Sequence, residues 1–86
     1  MPIISIFYGI IIRMNFGDHL PGHFHAEYQG FKAAFDIRSG KLLAGEFPRS
    51  AERLVRDWAK KHRSMLLNNW DKALHHEPLE RIPGEE

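Results

Sequence analysis

The chain has 86 residues, no cysteine, six histidines and a formal net charge of +1, with 43% apolar and 27% charged residues. That balance suits one modest core and no second module, and it sets the chain apart from disordered and fibrous classes. No apolar run approaches the roughly 20 residues of a membrane-spanning helix, and there is no basic leader and no disulfide framework, so one soluble domain (residues 1–86) in a reducing cytoplasm is expected.

Residues 3–16 are rich in β-branched and aromatic side chains, with Tyr8-Gly9 as the only turn former among them; two strands follow, about 3–7 and 10–15. Both faces of this pair are apolar, which fits either strands covered on both sides or a homodimer contact. Gly17 to Gly22 reads as a loop, because Asp18, Pro21 and two glycines favour turns and Pro21 biases Leu20 away from helix.

The stretch Asp18-His19-Leu20-Pro21-Gly22-His23-Phe24-His25-Ala26-Glu27-Tyr28 places three histidines within seven residues and runs into a strand. In an extended segment alternate side chains share a face, so His23, His25 and Glu27 line one side and Phe24, Ala26 and Tyr28 the other. Gln29-Gly30 supplies a two-residue turn. The register that follows sets Tyr28 opposite Phe31, Glu27 opposite Lys32, Ala26 opposite Ala33, Phe24 opposite Phe35 and His23 opposite Asp36. A slip of one residue would move both apolar rows to the wrong face. A second turn at Ser39-Gly40 brings Arg38 opposite Lys41 and leads into a strand at residues 41–46.

Pro48 stands at or just before the start of a helix, where its missing N–H costs nothing. A 100° step per residue puts Ala51, Leu54, Val55, Trp58 and His62 on one side and Arg49, Arg53, Arg56, Lys60 and Arg63 on the other. The phase then rotates to Leu66, Trp70 and Leu74, which predicts a break near Arg63, with Ser64 as the N-cap of a second helix from Met65 to about His75. Residues 77–86 hold four glutamates and one arginine; they read as an acidic, partly disordered tail, with Leu79 and Ile82 available to dock. The fold class is α+β: an antiparallel meander of four or five strands with one or two C-terminal helices on one face. Phe24, Tyr28, Phe31, Phe35, Ile37, Leu54, Val55 and Trp58 are its predicted core, and the row His23, His25, Glu27, Asp36 faces away from the helices.

Three chemistries compete for that row. In acid–base catalysis on a phosphodiester, His23 and His25 form the proton-transfer pair, Asp36 orients His23, His19 assists, and Arg38, Lys32, Lys41 and Arg13 hold the anion, with no cofactor required. In a metal site, His23 and His25 are ligands completed by His19, Asp36 or Glu27, a donor set suited to zinc or another divalent first-row ion. In a purely structural account, His23–Asp36 and Glu27–Lys32 are ordinary cross-strand pairs. The ridge Arg49, Arg53, Arg56, Lys60, Arg63 has the spacing of a nucleic-acid or acidic-partner contact, and equally that of a solvated helix face.

The opening Pro2-Ile3-Ile4-Ser5, the run Phe7-Tyr8-Gly9-Ile10-Ile11-Ile12, the histidine stretch, and the helix from Pro48-Arg49 through Trp58-Ala59, His62-Arg63, Leu66-Leu67 and Asn69-Trp70 resemble the bacterial domain-of-unknown-function family 4160. Gly22 departs from the family's usual second proline in the H-x-P-x-H-F-H-A core, which leaves the loop freer. The resemblance implies a small cytoplasmic protein encoded beside a partner in an arrangement like a toxin–antitoxin module, hence a toxin-like ribonuclease with an antitoxin-like protein partner and RNA as target. A non-enzymatic protein-binding module and a metal-binding domain are the alternatives.

Overall fold

The computed structural model describes residues 1–85 and contains five strands followed by two helices: β1 (Ile3–Phe7), β2 (Ile10–Arg13), β3 (His23–Tyr28), β4 (Phe31–Asp36), β5 (Leu42–Gly45), α1 (Arg49–Lys61) and α2 (Arg63–Leu74). The strands form one antiparallel sheet in sequence order. This is the α+β meander that the alternation of side chains implied.

The hairpins follow from their turns. Tyr8 and Gly9 have φ of 49° and 76°, and Gln29 and Gly30 have 47° and 85°. Two consecutive left-handed residues match the right-handed twist of the flanking strands, and glycine takes the second position without a Cβ penalty. The β3–β4 register is the predicted one, from His23 opposite Asp36 to Tyr28 opposite Phe31. The β4–β5 connection differs. A bulge lies between Ala34 and Phe35, β4 ends at Asp36, and the Asp36 carboxylate accepts both the Ser39 amide (2.7 Å) and the Ser39 hydroxyl (2.8 Å). Arg38 therefore lies in a turn and does not pair with Lys41. Here a local side-chain bond outcompetes the ladder.

Ile4, Phe7, Ile10, Ile12, Met14, Phe24, Phe35, Ile37, Val55, Trp58 and Leu66 are fully buried, with the Trp58 ring 5.1 Å from Phe7 and 5.7 Å from Phe24. Two predicted core residues are not in it: Phe31 is 41% and Leu54 36% exposed, because both stand at the rim of the sheet–helix contact. The helices are separated at His62 (φ −112°, ψ 24°), one residue before the expected break; Ser64 lies inside α2 and caps nothing.

The acidic tail is tied down. Asn69, 1% exposed, donates to the Glu80 carbonyl and accepts from the Glu80 amide, both at 2.9 Å. The Ile82 amide donates to the Ile4 carbonyl (2.7 Å), Ser5 Oγ to the Ile82 carbonyl (2.8 Å) and Trp58 Nε1 to the Pro83 carbonyl (2.8 Å). Residues 80–85 thereby run along the free edge of β1, and Gly84 comes so close that a Cβ there would stand 2.9 Å from the Ile6 carbonyl. This edge is covered, while β5 leaves the other edge open. Among the described residues no helix is long and apolar enough to cross a membrane.

Candidate metal centre

The loop between β2 and β3 returns across the end of α2, with the Gly17 amide donating to the Ala73 carbonyl (2.9 Å) and the Ile37 amide to the Gly22 carbonyl (3.0 Å). These bonds fix the mouth of β3, where His23 and His25 share a face as period-two geometry requires. Their rings are 5.3 Å apart. His23 also lies 5.3 Å from the Trp70 ring, so the histidine row does not stand wholly clear of the helices: α2 reaches round to its first member.

Each histidine is held by a specific atom. His23 Nδ1–H donates to the Pro21 carbonyl at 2.7 Å, which leaves Nε2 directed at Asp18 Oδ2, 2.9 Å away. Both ring nitrogens thus face acceptors. A neutral imidazole satisfies only one of them, and either a second proton or a cation at Nε2 satisfies the other. The Asn15 side-chain amide lies 3.3 Å from both His25 Nε2 and Asp18 Oδ2, and an N–H donor there makes Nε2 the lone-pair nitrogen of His25. Burial, together with the neighbouring His23, lowers the His25 pKa below its ordinary value and favours the neutral ring. The Asp18 carboxyl is likewise held below the usual range, first by the His19 backbone amide and also by Asn15 and His23.

One donor atom each from Asp18, His23 and His25 lies within 4.8 Å of the others. Ligands of a tetrahedral ion with bonds of about 2.0–2.1 Å stand roughly 3.4 Å apart, so closure asks for a rotamer adjustment of one imidazole. The surroundings suit such a site: His23 Nδ1–H donates to the Pro21 carbonyl, and the Asn15 amide orients the Asp18 carboxylate.

The other sequence candidates are placed differently. Asp36 sits opposite His23 in the ladder, yet its carboxylate is engaged by Ser39, and the part expected of it belongs to Asp18. Glu27 lies opposite Lys32 in the ladder as expected, while its carboxylate accepts from Arg13 Nε at 2.8 Å, and Arg13 donates also to the Met1 carbonyl. His19 is 90% exposed, with Nδ1 2.9 Å from Asp18 Oδ1, at the lip of the cluster. Lys32 and Lys41 are exposed and border neither large cavity, whereas Arg38 lines an apolar one of about 520 Å³ with Leu20, Pro21, Leu67 and Trp70. Arg49, Arg53, Arg56, Lys60 and Arg63 come together along a separate cleft. Asp18 and Asn15 were missed by sequence reasoning. Asp18 opens the histidine stretch and was legible only as a turn former, since nothing in spacing says that a loop carboxylate folds back onto the first strand residue.

No curated protein and no solved structure matches the chain. A family model described as Domain of unknown function (DUF4160) matches residues 9–71, a span that contains β2 to β5, α1, most of α2 and every atom of the Asp18–His23–His25 cluster. The chain belongs to that family, in agreement with the resemblance carried by its histidine stretch.

Proposed function

We propose that Asp18, His23 and His25 bind one divalent first-row metal ion and that the protein acts as a hydrolytic centre. The observation that carries this reading is the anchoring of His23: its Nδ1–H is committed to the Pro21 carbonyl, so Nε2 faces the Asp18 carboxylate, a pairing that a second proton or a shared metal ion satisfies. Two imidazoles and one carboxylate suit zinc, iron or manganese and leave coordination positions for water and substrate. An ion held this way supplies an acidified water and polarises an ester or phosphoryl oxygen. The chain's own contribution is to hold the donors and to present the exposed His19 imidazole, beside Asp18, as a proton carrier at the mouth.

The test is metal titration of the untagged protein with elemental analysis. One ion per chain is expected, lost in Asp18→Ala and His25→Ala. Chains that bind no ion would overturn the reading. A metal-free acid–base centre is favoured in that case by the lone pair that Asn15 leaves on His25, and its signature is cleavage of RNA that resists chelator and fails in His25→Ala. Either chemistry accords with a toxin of a toxin–antitoxin pair, for which induction should arrest growth and His25→Ala should relieve the arrest.

A further inference from the structure

The ridge of α1 is not a convex face. Arg49, Arg53, Arg56, Lys60 and Arg63 line one wall of a cleft of about 590 Å³, and the Ser39-Gly40 turn lines the other. Gly40 lies close under the helix, the position of a Cβ on it being 3.9 Å from the Arg56 carbonyl, so the turn bounds the cleft. Glu52 and Asp57 line the same cleft. Even so, among the described residues none of its five cations makes an ion pair, whereas Lys61 and Lys72, which line neither cavity, hold Glu85 and Glu80 at 2.9 and 2.8 Å. Five cations against the two carboxylates leave the concavity net positive, and field lines focus there.

The cleft is also connected. Ile37 borders both it and the apolar cavity of Trp70, Leu67, Leu20 and Pro21, and Trp70 touches His23. Cations, then a cavity with an aromatic wall, then the histidine cluster follow one another over the surface. We infer that the cleft binds the phosphate backbone of a single-stranded nucleic acid, with a base turned into the Trp70 cavity and the strand led toward the Asp18–His23–His25 cluster. Four of the five cations are arginines, whose forked guanidinium matches a phosphate better than an ammonium does. From Arg49 to Lys60 the helical rise along α1 is about 16.5 Å, with Arg63 following at the start of α2, room for several successive phosphates. A single strand supplies both counterparts at once, phosphates for the cations and an unpaired base for the apolar cavity, whereas the bases of a duplex are stacked and paired. What is delivered at the cluster rests on the hydrolytic reading above; binding in the cleft does not.

The experiment is fluorescence anisotropy of a short labelled single-stranded RNA oligomer titrated with the full chain across a salt series, beside a duplex of the same sequence and a poly-glutamate peptide of equal charge. For three to five phosphate contacts the expected slope of log K against log salt is about −2 to −3.5. Arg53→Glu/Arg56→Glu should weaken binding at least about tenfold and flatten the slope, with Arg53→Gln/Arg56→Gln between it and wild type, since both residues are exposed and the fold should stand. Equal or tighter binding of the peptide would make the cleft a protein interface, equal binding of the duplex would remove the single-strand requirement, and no salt-dependent binding would refute the site; each overturns the inference. Metal titration of the same variants separates the two claims: a chain that keeps its ion but ignores RNA fails only here, and a chain that binds RNA without an ion fails only the hydrolytic reading.

Discussion

At the scale of the residue, the decisive contacts are made by short side chains on unremarkable positions. Asp18, Asn15 and the Pro21 carbonyl each bond one imidazole atom, and together they place the lone pair of His25 on Nε2 and set both nitrogens of His23 against acceptors. The pH consequence for His25 in the metal-free protein has a definite sign. Its folded pKa lies below 6.5, the ordinary histidine value, so as pH falls through that value the unfolded chain takes up its proton first. His25 then subtracts stability between 6.5 and its own lower pKa, subtracts a constant amount below that, and subtracts nothing at neutral pH and above. An NMR titration should place the His25 midpoint below 6.5, and His25→Gln should remove this part of the acid destabilisation; a midpoint at or above 6.5 would contradict the desolvation argument. The histidines and their shared face were legible because strand alternation is a local rule. Asp18 was not, because a loop's return path depends on what the loop packs against, here the end of α2.

At the scale of the element, the β3–β4 hairpin obeyed its turn and its apolar rows, whereas the β4–β5 connection obeyed one carboxylate. Asp36 lies opposite His23 as expected, but its carboxylate holds the Ser39 amide and hydroxyl, bonds that also lower its pKa. Asp36→Ala should therefore cost about 0.5–1.5 kcal/mol in thermal or denaturant unfolding, through the lost hydrogen bonds to the exposed Ser39, and leave metal affinity unchanged. A loss of metal with intact stability would restore Asp36 to the centre. The helix pair teaches the same lesson in reverse. The 100° pattern located Ala51, Val55 and Trp58 on the buried face and the cations opposite, and it placed the break near Arg63 with Ser64 as the next cap, where the chain breaks at His62. Capping propensity is worth about 1 kcal/mol, and packing of Leu66 and Trp70 against the sheet and loop outweighs it.

At the scale of the whole molecule, the tail closes the fold. Ile82 is 3% exposed, its amide extends the pairing of β1, and its carbonyl satisfies the buried Ser5 hydroxyl. Ile82→Ala should cost about 2–4 kcal/mol, which for a domain of this size lowers the melting temperature by roughly 10 °C or more. A variant melting within a degree or two of wild type would mean that the tail is dispensable. By itself the sequence determined the meander of strands, the β3–β4 register, the buried and cationic faces of α1 and the shared face of His23 and His25, because each depends on side-chain period and turn chemistry within about ten residues. Only the tertiary structure decided that Asp18 rather than Asp36 completes the cluster, that Asn69 and Ser5 capture an acidic tail, and that the cationic ridge forms the wall of a cleft. Those outcomes join residues distant along the chain, and the packing of the sheet against the helices determines which of them meet.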